Sequence, residues 1–374
     1  MLVIAIRSKV RLAIAVIEEA AECLKKIPML VFYPILTVFL LLILYVYIII
    51  MSAYIVSAGD IKLTNFEDSL KNWMNNFTAS TSLLPKSSFQ TNITAFSEYE
   101  SMDITRYLML YQLFGLLWTN QMIQAIGLCT IAGAVNYFYW YRNDKEKMPK
   151  RPIFSSMRNV WRYSLGSLAF GSFLIALLQA FRAFFAYVDR KTKDLQNKSC
   201  LIKVIFKIVH CCLYCFEKWL KFITKNAYIM IAVEGSSFCK ATKDAIVLIT
   251  SNIVSIAVVN VLSEFILFLG KVFVTCVCGM FCFVWLDKAP EFQEGGEKAL
   301  TGTWLTVLLT MVFAYFVASG FFYVYDMAID TIMLDFCLDK KMNGGQLAGA
   351  SKRLMRVVKG KVKDEETKKP INRT

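Results

Sequence analysis

IPMLVFYPILTVFLLLILYVYIIIMSAYIVSAG, residues 27–59, carries no Asp, Glu, Lys or Arg. A helix needs about 20 apolar residues to cross ~30 Å of hydrocarbon, and this run is longer than that. Residues 107–141, 163–181, 245–263 and 299–325 are likewise free of charge, and 265–286 is interrupted only by Lys271. In lipid every backbone polar group has to be satisfied inside the spanning element, which leaves helices and closed barrels. Barrel strands alternate over only about ten residues, so these long unbroken runs point to helices. With 57% hydrophobic content over 374 residues, the sequence predicts an all-α, polytopic membrane bundle. About six transmembrane helices are expected, with cytosolic or interfacial amphipathic helices beside them.

The formal charge of +14 does not call for a nucleic-acid partner, because the basic residues sit in short segments between apolar runs, as in cytosolic loops. None of the eleven cysteines falls in the long polar loop 58–105, and most of the others lie in apolar runs as small hydrophobes, so no disulfide framework is expected. Residues 1–6 are apolar but too short for a signal core, with Arg7, Lys9 and Arg11 on the wrong side of them. They read as the last turns of a span, and 7–26 as an amphipathic helix on the cytosolic surface.

The loop 58–105 holds two glycosylation sequons, at Asn76 and Asn92, and few basic residues, which places it outside. Residues 142–162 hold seven Lys or Arg and read as cytosolic. Lys203, Lys207, His210, Tyr214, Lys218, Lys221 and Lys225 recur at spacings of four and three, making 200–225 an amphipathic interfacial helix. Its charge favours the cytosolic leaflet, whereas the parity of spans puts it outside. A crossing at 163–188, another within 226–263 and two more at 265–286 and 299–325 bring the total to six. The transporter domain is then 1–339, and the basic tail 340–374 is cytosolic.

No nucleotide, zincin or nucleophile-elbow pattern appears, so neither an enzyme nor a cofactor is expected. His210, Cys211, Cys212 and Cys215 crowd into under two helical turns and do not read as a metal site. More informative is the run from Tyr107. Tyr107, Tyr111, Phe114 and Trp118 form one aromatic stripe, with Asn120, Gln121 and Gln124 near the middle of the uncharged run. Aromatic faces beside neutral hydrogen-bonding groups suit a quaternary ammonium through cation–π attraction. The plainer alternative is an interfacial belt of tyrosines and amides that tie helices together. Glu234 is the intramembrane carboxylate expected to matter most, while Asp326 reads as a solvated helix-end charge.

Several stretches carry a family resemblance. They are Gly166-Ser167-Leu168-Ala169-Phe170-Gly171-Ser172 with Gln179 and Arg182, Glu217-Lys218-Trp219 continuing through Asn226-Ala227-Tyr228 to Phe238-Cys239, Leu117-Trp118-Thr119, and Gly320-Phe321-Phe322. In these the sequence resembles the choline transporter-like family of solute carriers. The resemblance implies about ten spans with cytosolic termini, of which this chain corresponds to the C-terminal portion, without the first span and its external loop. It also implies sodium-independent uptake of choline, in some members of ethanolamine or thiamine pyrophosphate. Glu234 and Gln121 depart from the family pattern.

The expected function is alternating-access transport of choline or a related organic cation, facilitative or proton-coupled. The site would draw on Trp118, Asn120, Gln121, Gln124, Tyr111 and Glu234. The expected partners are the small-molecule substrate and the bilayer. The expected location is the plasma membrane, with a mitochondrial membrane as the alternative. A non-transporting membrane scaffold or surface protein is the competing reading.

Overall fold

The computed structural model describes residues 2–57, 60–63, 97–100, 103–142, 144, 146–191, 200–288, 303–344 and 347–356. Its helices are α1 (Leu2–Lys26), α2 (Met29–Ser57), α3 (Asp103–Trp140), α4 (Pro152–Asn159), α5 (Leu165–Lys191), α6 (Cys200–Glu234), α7 (Phe238–Ser251), α8 (Ile253–Lys288) and α9 (Thr303–Met342). A π-helical turn, Val160–Ser164, joins α4 to α5. Two short strands, β1 (Asp60–Leu63) and β2 (Ser97–Glu100), pair antiparallel with Asp60 opposite Glu100.

The chain forms two compact units, 42–117 and the remainder. The smaller unit comprises the β1–β2 pair and the adjoining parts of α2 and α3, where Gln112 Nε2 donates to the Ile48 carbonyl at 2.9 Å. Asn76 and Asn92 lie outside the described residues.

In the larger unit α1 is amphipathic and buries Leu12, Val16, Ala20 and Cys23 against α8 and α9. Tyr325 on α9 donates to the Ile17 carbonyl at 2.8 Å, Lys9 donates to the Ser255 hydroxyl, and Arg142 pairs with Glu19. The end of α9 meets the end of α3 at the same side, where Tyr139 donates to Asp339 at 3.1 Å. Phe32, Phe39, Phe273, Phe281 and Phe313 stay exposed on the long helices. In water such a surface would aggregate; in a bilayer it is the lipid-facing surface.

Among the described residues, five helical stretches are long and apolar enough to cross a membrane: Met29–Ser57, Tyr107–Trp140, Pro152–Arg190, Ile253–Lys288 and Trp304–Met342. The region 226–263, expected to hold a crossing of its own, is instead divided among the end of α6, α7 and the start of α8, and α8 runs without a break through Glu264. The return leg after α5 is α6. It lies antiparallel along α5: Glu217 meets Arg182, while farther along α6 Tyr228 meets Gly171. At 35 residues it is about 52 Å long, and its lysines keep it out of the five apolar stretches.

Candidate functional site

Residues from α3, α5, α6 and α7 converge on one short stretch of α5, just beyond the π turn. Wide helical turns of that kind are frequent at functional sites. Trp118 of α3 donates its indole N–H to the Ala169 carbonyl at 3.2 Å and meets Phe173 edge-on, ring centroids 5.7 Å apart. Phe170 meets Phe238 of α7 at 5.6 Å, and Phe238 meets Tyr228 of α6 at 6.2 Å. Between them sits Gly171. A Cβ there would lie 2.6 Å from Phe238 Cε2 and 2.7 Å from the Tyr228 hydroxyl, so only glycine admits both rings against the α5 backbone.

Polar groups extend from this nest along α5. Gln121 donates to Gln179 at 3.4 Å, and Gln179 is 3.5 Å from Glu217. Glu217 is buried and holds Arg182 and Lys221 at 2.5 Å and 2.7 Å. One turn and more along α6, Lys225 contacts Asp326 at 2.9 Å and Asp330 at 2.5 Å on α9. Glu217 thus faces two cations, whereas Lys225 alone faces two carboxylates. Beyond Arg182, a cleft of about 590 Å³ opens between α5 and α6, lined by Phe185, Asp189, His210 and Tyr214 among others. Arg182 and Lys218 both lie over the Tyr214 ring, at 5.2 Å and 4.8 Å from its centroid.

The residues expected from sequence separate. Trp118 and Gln121 belong to the convergence. Asn120 accepts from Gln124 at 3.3 Å, a contact between residues one turn apart on α3. Tyr111 belongs to the smaller unit, where its ring is 78% exposed. Glu234 is exposed at the last position of α6, beside Gly235, whose φ of 67° ends the helix. Asp326, expected as a solvated helix-end charge, is instead paired with Lys225. Phe170, Tyr228 and Phe238 were not singled out as site residues; the signal for them was their place inside the stretches that carry the family resemblance. Among the described residues, no three His, Cys, Asp or Glu side chains gather as a metal site would.

The fold and this site define a multi-pass helical membrane protein with an aromatic and amide cluster where four of its helices meet. Residues 1–341 match the family model described as "Plasma-membrane choline transporter", and the chain belongs to that family. It is similar to "Choline transporter-like protein 5" of Xenopus tropicalis, 34% identical over 359 residues that cover 92% of this chain and 49% of the relative. It is also similar to "Choline transporter-like protein 4" of Homo sapiens, 32% identical over 93% of this chain and 50% of the relative. "Choline transporter-like protein 2" of Salmo salar is 32% identical over 96% of this chain and 52% of the relative. The chain thus spans about half the length of the curated relatives it matches.

Proposed function

We propose that this protein carries choline or a closely related organic cation across the plasma membrane by alternating access, without sodium and with a proton as the candidate coupling ion. The names of its relatives supply the substrate class. The observation that carries the reading is the convergence of Trp118, Phe170, Phe173, Tyr228 and Phe238 on Gly171, beside the neutral amides of Gln121 and Gln179. A quaternary ammonium has no N–H to donate and is held well by aromatic faces, at about 0.5–2 kcal/mol each. Glu217 is already held by two cations, Arg182 and Lys221, so the aromatic faces are what the nest itself offers a cation. An anionic substrate such as a phosphorylated vitamin would need a basic residue, and Arg182 is held by Glu217. The cleft beyond Arg182 gives an approach between α5 and α6.

The test is uptake of labelled choline by the protein reconstituted in liposomes, in sodium-free buffer. Saturable uptake is expected, and Trp118→Ala is expected to raise the half-saturating concentration roughly tenfold. Absence of saturable uptake would reject the function. Unchanged uptake in Trp118→Ala would reject the site.

A further inference from the structure

We propose that the Tyr228 hydroxyl is the subsite that recognises the hydroxyl group of the transported cation, selecting hydroxyl-bearing quaternary ammonium ions over alkyl ones. This deepens, and rests on, the choline-class reading above. Tyr228 is 3% exposed, and its hydroxyl has no hydrogen-bond partner. A buried hydroxyl left unpaired is destabilising, and a phenylalanine of the same shape would avoid that cost. An unsatisfied group of this kind therefore needs an explanation, and its surroundings supply one.

The hydroxyl lies against Gly171 of α5, where there is no side chain, and beside Phe238, which in turn meets Phe170. Trp118 and Phe173 continue the aromatic wall along the same turn of α5. The nest therefore holds two chemistries side by side, aromatic rings for an ammonium and one uncommitted hydroxyl. A two-carbon amino alcohol with a quaternary nitrogen presents the same pair. In the packed arrangement Phe238 and the Gly171 backbone cover the hydroxyl. Phe238 is the first residue of α7, which joins α6 through Gly235 at φ 67°, a break about which the two helices can part. A site built to bond a ligand hydroxyl discriminates against the analogue that lacks it, because its own polar group is then left unpaired.

The experiment is equilibrium binding to the purified full chain in lipid nanodiscs, with labelled choline displaced by unlabelled choline or by n-propyltrimethylammonium. Wild type is expected to prefer choline by roughly three- to tenfold, the worth of one neutral hydrogen bond. In Tyr228→Phe the preference is expected to fall to near unity, with the affinity for n-propyltrimethylammonium unchanged or higher. Thermal stability of Tyr228→Phe is expected to equal or exceed that of wild type, since no hydrogen bond is lost. Retention of the preference in Tyr228→Phe overturns the proposal, as does equal weakening of both ligands or the absence of any preference in wild type. Binding with the expected preference but no flux in liposomes would reject the transport reading and leave the subsite standing.

Discussion

Replacing Lys225 by Met removes the one cation that separates Asp326 from Asp330. These carboxylates sit a turn apart on α9, and the Lys225 ammonium contacts them at 2.9 Å and 2.5 Å. Removing one partner of a fully buried ion pair costs about 3–5 kcal/mol, because the remaining charge is stranded. Here the side chains retain 26%, 29% and 15% exposure, so water offsets part of the loss, and about 2–3 kcal/mol is the expected cost. At roughly 2 °C per kcal/mol for a long chain, the apparent Tm should fall by about 5 °C. Because the loss comes from like charges left facing each other, Lys225→Met/Asp330→Asn should recover about half of it, which is the signature of coupling in a double-mutant cycle. The assay is the fraction of protein remaining monodisperse after heating in detergent, at a fixed heating time because unfolding of such proteins is governed by rate. A Tm within about 1 °C of wild type for Lys225→Met, or a double variant no more stable than the single, would show that the cluster does not tie α6 to α9.

The remaining predictions concern packing and thiol reactivity. Gly133 lies against Ser156, whose hydroxyl donates to the Thr130 carbonyl at 2.8 Å, and a Cβ at 133 would collide with that oxygen. Gly133→Ala should therefore cost about 1–3 kcal/mol, read as a lower apparent Tm, and a Tm equal to wild type would refute the close approach of α3 and α4. Cys23 is fully buried under α1, and burial pushes its thiol well above the ordinary range, whereas Cys211, Cys212 and Cys215 are exposed. In a variant retaining Cys23 alone, a soluble maleimide at pH 7.5 should modify it only after denaturation, the thiolate being the nucleophile. Rapid modification of native Cys23 would count against the docking of α1.

Charge-free runs were sufficient to find α2, α3, α5 and α9, because a lipid-facing helix announces itself in local composition, whereas α8 runs as one helix through Glu264 where two spans are expected. They were not sufficient for α6. Of its basic stripe, Lys225 is paired with residues about a hundred positions away on α9, while Lys221 pairs locally with Glu217, which also holds Arg182 of α5. Charges neutralised by partners distant in sequence are invisible to any sliding window. The same limit affected the site. Trp118 and Gln121 were legible because an indole and an amide in an apolar run need partners. Tyr228 and Phe238 had no such signal, since buried aromatics in helices are ordinarily packing residues. Glu234 was read as an intramembrane carboxylate because 226–263 was read as one crossing. The left-handed Gly235 ends α6 one residue later and leaves Glu234 exposed.

That break also bears on which part of the site can move. α6 is pinned at two levels, to α5 through Glu217 with Arg182 and to α9 through Lys225 with Asp326 and Asp330. Sliding α6 against α9 would separate part-exposed paired charges, a cost of about 2–3 kcal/mol. α7 is a different kind of element. It is a helix of 14 residues, held by a small apolar face of Phe238, Ala241, Ala245 and Leu248, and it leaves α6 through a glycine that tolerates backbone change. Its first side chain, Phe238, is the one that covers the Tyr228 hydroxyl. A movement of α7 about Gly235 would part Phe238 from Tyr228 and leave both ion clusters intact, whereas a movement of α6 would break both.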